Sequence, residues 1–226
     1  MWAVVPLKNI RQAKQRLAPM LAPDERSALM FAMVSDVLEA LTQTPGLAGI
    51  LLVSRAPEAR DLAHRFGTEL YAEAAGADLS ESVQAAGGYL VANRDARGTL
   101  IVPGDVPLIT PADIGAVLAD HQRLTLVPDS DGDGTNCIVS SPPNLIRYRF
   151  DGHSFKPHAE AAYGIGITPR IVRNDAFGID VDTPRDLLRA LERADHSARP
   201  SHTRTCLETS GIATRLTRPH NDLSAM

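Results

Sequence analysis

Four stretches of the chain carry side chains whose types and spacing could do chemistry together. Lys8, Arg11, Lys14 and Arg16 put four cations in nine residues, directly after the apolar run Trp2–Leu7. Asp105 follows the run Thr99–Pro103, and Asp129, Asp131 and Asp133 follow Leu124–Pro128. Asp180 and Asp182 stand two residues apart in Gly178-Ile179-Asp180-Val181-Asp182-Thr183-Pro184. A cationic loop facing carboxylates from separate strands suits a polyphosphate together with a divalent cation. Carboxylate oxygens suit Mg²⁺, which keeps waters and phosphate oxygens in its octahedron.

Several other chemistries are excluded. Asp129, Asp131, Asp133 and Gly134 match the first half of a calcium-hand loop. Ser140 occupies the position of the bidentate glutamate and the flanks read as strands, so no calcium hand is expected. The chain contains no G-x-x-x-x-G-K-[ST], no G-x-S-x-G and no H-E-x-x-H, which removes the P-loop, esterase and zinc-protease arguments. On local sequence alone, Ser154 and His158 read as a helix cap and a surface residue.

These residues need elements to position them. Trp2–Leu7, Ile50–Ser54, Thr99–Pro103, Leu124–Pro128 and Asn136–Ser140 read as strands. Asp24–Thr42, Pro57–Phe66, Leu79–Asn93 and Pro111–Arg123 read as helices between them. Asp24 is expected to cap the first helix, Asp78 with Glu81 forms a capping-box pattern, and Thr110-Pro111 and Thr183-Pro184 each read as an N-cap followed by Pro. The alternation predicts an α/β fold with a largely parallel sheet covered by helices, whose ligands gather at the carboxyl ends of the strands. Asp180 and Asp182 are therefore expected at strand ends.

The 226 residues suffice for one domain. Hydrophobic residues make up 44% and aromatics 4%, so the core should be built from Ala, Leu, Val and Ile. The net charge of -4 argues against nucleic-acid binding on a broad basic surface. Two cysteines, Cys137 and Cys206, support neither a disulfide framework nor a four-thiolate zinc site. No apolar run reaches membrane-spanning length, and the first apolar run is too short for a signal peptide, so a cytoplasmic location without a membrane partner is expected. Residues 1–194 read as the domain. Residues 195–226, rich in Ser and Thr and without a clear period, read as a disordered tail.

The sequence resembles the 2-phospho-L-lactate guanylyltransferase family of coenzyme F-420 biosynthesis, with its phosphoenolpyruvate and 3-phospho-D-glycerate relatives. Four blocks carry the resemblance: VPLKNIRQAKQRLAP at Val5–Pro19, VPGDVPL at Val102–Leu108, GDGTN with FDGHSFKPH across Gly132–His158, and GIDVDTPRDL at Gly178–Leu187. The resemblance implies a three-layer α/β/α nucleotidyltransferase fold, similar to nucleotide-diphospho-sugar transferases, with a mostly parallel mixed sheet. It also implies transfer of GMP from GTP to a three-carbon phospho-acid with release of pyrophosphate. Carried over residue by residue, Asp105, Asp180 and Asp182 are the catalytic, Mg²⁺-binding carboxylates. Thr135, Asp151 and Ser154 contact the acid, and Lys8, Lys14 and Arg16 contact the nucleotide. Asp151 departs from the family, which often has Gly there, and this leaves two arrangements open: a contact through the backbone N–H, which Asp also provides, or an acid-binding loop shifted by one residue. The partners implied are GTP, the phospho-acid and a downstream transferase that takes the product, with a homodimer compatible. Two alternatives stand beside this reading: another nucleotidyltransferase acting on a sugar phosphate or pterin cofactor, and a non-catalytic nucleotide-binding protein.

Overall fold

A computed structural model describes residues 1–195 and 201–217. Seven strands form one sheet: β1 (Trp2–Pro6), β2 (Gly49–Val53), β3 (Glu69–Tyr71), β4 (Thr99–Ile101), β5 (Leu124–Pro128), β6 (Thr135–Ser140) and β7 (Arg170–Ile171). Their order is β3-β2-β1-β4-β6-β5-β7. Every pair is parallel except those made by β6, which runs antiparallel to both β4 and β5. The start of β6 therefore lies at the same edge of the sheet as the ends of β4 and β5.

Eight helices are described: α1 (Pro23–Thr42), α2 (Ala59–Phe66), α3 (Leu79–Arg94), α4 (Pro111–Leu118), α5 (Phe155–Gly164), α6 (Pro184–Asp195), α7 (His202–Thr209) and α8 (Ile212–Thr217). The apolar strands feed two separate cores because successive side chains point to opposite faces. Ala3, Val5, Leu100 and Val102 join Leu29, Met33 and Val37 of α1 in one core. Val4, Leu51 and Ile101 join Val83 and Leu90 of α3 and Ala162 of α5 in the other. Fully burying each such Val, Leu or Ile side chain contributes about 1.5–3 kcal/mol. The three-layer α/β/α expectation holds.

The caps hold with one change. Asp78 accepts from the Glu81 N–H at 2.8 Å while Glu81 accepts from the Asp78 N–H at 3.0 Å. Thr110 pairs with Asp113 and Thr183 with Asp186 in the same manner. Asp24 instead lies inside the first turn of α1, whose entry is held by Glu25 accepting from the Ala22 N–H at 2.8 Å. The helix begins one residue earlier than expected because Pro23 occupies its first position, as a residue without an N–H can.

The expectation of a disordered tail does not hold across 201–217. Leu207 and Ile212 are buried in the core that α1 shares with the sheet. Asp36 of α1, itself buried, accepts from Ser201 Oγ at 2.8 Å, the His202 N–H at 2.7 Å and the Thr203 N–H at 2.9 Å. One carboxylate thus satisfies donors at the start of α7, which otherwise lack partners. Residues 196–200 and 218–226 lie outside the described residues.

Candidate functional site

A cavity of about 1040 Å³ opens at the carboxyl edge of the sheet, between Pro6, Ile101 and Pro103, the 129–136 segment, the 150–154 loop and the start of α6. Asp105, Thr135, Asp151, Ser154, Asp180, Asp182 and Arg16 all line it, so seven of the nine expected residues converge there.

One wall is charged. Lys14 is nearly enclosed, and its Nζ donates to Asp105 Oδ2 at 2.7 Å and to Asp182 Oδ1 at 2.6 Å. Burial works against the ammonium, but Asp105 and Asp182 outweigh it and hold its pKa above the ordinary lysine range. The backbone at Lys14 is left-handed, with φ 56°, a conformation that costs a non-glycine residue about 1–2 kcal/mol. Arg16 Nη1 stands 3.9 Å from Asp182 Oδ2 and is largely exposed, free to reach an anion in the cavity.

Asp180 and Asp182 do not end a strand, contrary to expectation; they lie in an extended loop before α6. The loop is fixed instead by single bonds. The Val181 N–H reaches Asp105 O at 3.0 Å and Gly178 O receives the Ser130 N–H at 2.9 Å. Alternation along this extended loop still separates Asp180 and Asp182 by one residue. Asn136 Nδ2 donates to Phe177 O at 2.8 Å and to Asp180 Oδ1 at 3.1 Å, anchoring that carboxylate. Burial raises the Asp180 pKa, Asp105 and Asp182 add to the rise, and the Asn136 bond opposes it.

The carboxylates offer oxygen donors suited to a hard cation. Asp105 Oδ1 is buried without a hydrogen-bond partner, an acceptor that the protein leaves unsatisfied. Among the described residues, Asp36, Glu39 and His202 are the one His, Cys or carboxylate trio within 4.8 Å, and Asp36 there is occupied as the acceptor for α7. Asp105, Asp180 and Asp182 are held wider apart, with the Lys14 ammonium between two of them.

A second wall presents the neutral hydroxyl residues Thr135 and Ser154, although Asp131, Asp133 and Asp151 also line the cavity. Thr135 begins β6, and its Oγ1 stands 3.1 Å from His158 Nδ1. Ser154 precedes α5 and is buried, with its side chain making no capping bond. Asp151 lines the cavity but turns its carboxylate to Arg149 Nε at 2.5 Å and to the His153 N–H at 3.3 Å. The Arg149 guanidinium holds the Asp151 carboxyl below its usual range. Cys137 is fully buried in the cavity floor, and burial pushes its thiol pKa up, so it offers no thiolate nucleophile.

Lys8 does not join the charged wall. Its ammonium donates to Glu73 and Ser82 and to the carbonyls of Ala77 and Asp78 at 2.9 and 3.3 Å, at the entry to α3. Asp129 is equally committed: its oxygens accept the N–H groups of Gly132 at 2.6 Å, Asp133 at 3.0 Å and Gly134 at 2.7 Å. A Cβ on Gly134 would fall 2.6 Å from Asp129 Oδ2, so glycine is required for the turn to close. That closure gives Asp129 and Gly134 a structural role in the turn.

Sequence reasoning missed four cavity neighbours. Arg185 and Arg189, on the first turns of α6, line the cavity and could have been found by extending the Thr183-Pro184 helix by i and i+4. Asn136 and His158 fall within the GDGTN and FDGHSFKPH blocks, but their roles were not readable there, since each acts through a partner distant in the chain.

The family described as guanylyl transferase CofC like matches residues 1–214. A phosphoenolpyruvate guanylyltransferase of Sphaerobacter thermophilus is 36% identical over 187 residues, covering 82% of this chain and 89% of the relative. A 2-phospho-L-lactate guanylyltransferase of Methanothermobacter thermautotrophicus is 30% identical, covering 82% and 81%. Among solved structures, a protein assigned as a nucleotide-diphospho-sugar transferase from Desulfovibrio desulfuricans G20 aligns with a TM-score of 0.76 at 19% identity, covering 95% of this chain and 96% of that one. A 4-diphosphocytidyl-2C-methyl-D-erythritol synthase aligns at 0.60 and 13% identity, covering 84% and 96%. The two structures speak to the fold.

Proposed function

The chain belongs to the CofC-like guanylyl transferase family, and from that premise we propose that it joins GMP from GTP to a three-carbon phospho-acid and releases pyrophosphate, in coenzyme F-420 biosynthesis. The observation that supports this reading is the convergence on one cavity of Asp105, Asp180, Asp182 and Arg16, with Lys14 bonded to Asp105 and Asp182, and of the hydroxyl residues Thr135 and Ser154. Such a cavity takes a polyphosphate on one side and a small carboxylate on the other.

The nucleophile is a phosphate oxygen of the acid, anionic at neutral pH, so no Ser, Cys or His nucleophile is needed. Its lone pair forms the new bond to the α-phosphorus. The bond from that phosphorus to the α–β bridging oxygen breaks, and its electron pair leaves on pyrophosphate. What the chain supplies is alignment and charge compensation. Lys14 and Arg16 offset the charge on the departing pyrophosphate, with Arg185 and Arg189 beside them. Thr135 and Ser154 give short neutral donors to the carboxylate, and the 151–152 backbone closes over it. Asp105, Asp180 and Asp182 would hold Mg²⁺, which when bound neutralises the phosphates and polarises the α-phosphoryl group. The buried, unpartnered Asp105 Oδ1 is what favours a cation at this wall.

The test is pyrophosphate release from GTP with phosphoenolpyruvate, 2-phospho-L-lactate and 3-phospho-D-glycerate in turn, with a sugar phosphate as control. Phosphoenolpyruvate is the first acid to try, since the relative at 36% identity bears its name. Release with one of the acids and not with the sugar phosphate is expected. Release with the sugar phosphate alone, or with nothing, overturns the reading.

A further inference from the structure

His158 lies on α5 with no exposed surface, although its local sequence reads as a surface position. Both ring nitrogens are engaged. The Arg149 N–H points at Nε2 at 2.9 Å, and Thr135 Oγ1 stands 3.1 Å from Nδ1. A backbone N–H is always a donor, so Nε2 must be the nitrogen without hydrogen. In the neutral ring the hydrogen then sits on Nδ1, and Thr135 Oγ1 must accept it. Burial keeps the ring neutral, pushing its pKa down to about 4.

A hydroxyl that accepts from Nδ1 still has its own proton to give. Among the described residues Thr135 Oγ1 has no other protein partner, and Thr135 lines the cavity. The ring is also hindered from turning, with the Phe150 ring at 5.2 Å and the Tyr148 ring at 6.4 Å, both edge to face. We propose that His158 is a positioning residue that commits the Thr135 hydroxyl to donate into the cavity, toward the carboxylate of the phospho-acid. The same ring ties the backbone at Arg149, where the 149–154 loop begins, to the first residue of β6. Both acid-contacting segments are thereby set by one side chain. This inference rests on the functional reading above.

The closing experiment separates the two ring nitrogens. In His158→Gln the terminal amide oxygen replaces Nε2 as acceptor for Arg149, and the donor to Thr135 is lost. In His158→Asn the amide nitrogen replaces Nδ1 as donor, and the acceptor for Arg149 is lost. His158→Gln should raise KM for the phospho-acid about 3- to 30-fold with KM for GTP unchanged, and His158→Asn should raise it less. In a Thr135→Val background, His158→Gln should add little further, because its effect runs through the missing hydroxyl. Independent effects that simply multiply, or a rise in KM for GTP equal to that for the acid, overturn the proposal. Nitrogen-15 NMR of the wild-type ring at pH 7 gives a second readout that needs no variant. The Nδ1–H tautomer is expected, and an Nε2–H tautomer or an imidazolium overturns the proposal. Should the wild type release no pyrophosphate with any acid, the functional reading fails, and the ring tautomer still decides the hydrogen-bond assignment.

Discussion

The two walls of the cavity are built on opposite plans. The charged wall is made of loops: Lys14 in a left-handed turn, Asp105 after β4, and Asp180 with Asp182 in the extended segment before α6. Its groups cancel one another, with the Lys14 ammonium between two carboxylates. The neutral wall is made from the first residue of a strand and the residue before a helix, both enclosed, with His158 behind them. A nucleoside triphosphate with its metal brings large charge and needs compensation that can be redistributed. A small acid brings few atoms and needs donors in fixed places. On the proposed reading, the difference teaches that this site applies charge to one substrate and rigidity to the other.

The largest expected effect breaks the charged wall. Asp182→Asn keeps the shape, removes a charge and frees Lys14 of one partner. Turnover should fall about 100-fold or more, which is about 2.7 kcal/mol, while the thermal midpoint changes little. Near-normal turnover in the folded variant would remove Asp182 from the machinery.

Next in size is a pH effect confined to the neutral wall. Burial lowers the His158 pKa to about 4, outweighing the nearby Asp151 carboxylate, which acts in the other direction. Below the unfolded value of about 6.5 the unfolded chain binds the proton first, so this stability is present above pH 6.5 and is lost as pH falls toward 4. Between pH 7 and 5 the loss should be about 2 kcal/mol from this group. Urea unfolding of wild type and His158→Gln at both pH values isolates it, because the variant lacks that component. Equal losses in the two proteins would mean that the ring is not held neutral.

A smaller effect returns to the charged wall. Lys14→Ala should raise KM for GTP about tenfold and leave that for the acid nearly unchanged. Lys14→Arg should recover part of the loss if charge is what matters. Smallest is Ser154→Ala, which removes one neutral donor worth about 0.5–1.5 kcal/mol. KM for the acid should rise about 2- to 12-fold, with GTP unaffected. An effect of Ser154→Ala on GTP alone would erase the division between the walls.

Lys14, Arg16 and Asp105 were legible in the sequence because they follow apolar runs that read as strands, whereas Asp180 and Asp182 lie in a loop. Asp105 after Thr99–Pro103 is the plain case. The capping patterns at Asp78, Thr110 and Thr183 were equally readable, since each is complete within four residues. Lys8 looked identical to Lys14 in the basic loop. Only the fold shows that it turns to Glu73 and Ser82, 65 and 74 residues away. Strands β3 and β7, of three and two residues, are too short to show a period. The helices at 202–217 were hidden for a related reason: their buried residues, Thr203, Leu207 and Ile212, are spread over two short segments with a break at Ser210-Gly211. His158 was misread because nothing near it in sequence reveals that Thr135 and Arg149 meet it.

The pairing of β5 with β6 has one irregularity. Val127 faces Cys137 and Pro128 faces Thr135, which leaves Asn136 as an extra residue. An extra residue re-aims the side chains beyond it, and a proline without an N–H sits comfortably opposite. Here two neighbours on one strand are shared between the two walls, Asn136 toward Asp180 and Thr135 toward His158. On the proposed reading, the spacing between the two substrates is set by a count of residues in a hydrogen-bonded ladder. Deleting Asn136 would shorten that ruler by one mark. The ladder would then run regularly with Thr135 still facing Pro128, but Asp180 would lose the amide that anchors it, and on the proposed reading the metal-side carboxylate would drift out of line with the acid site.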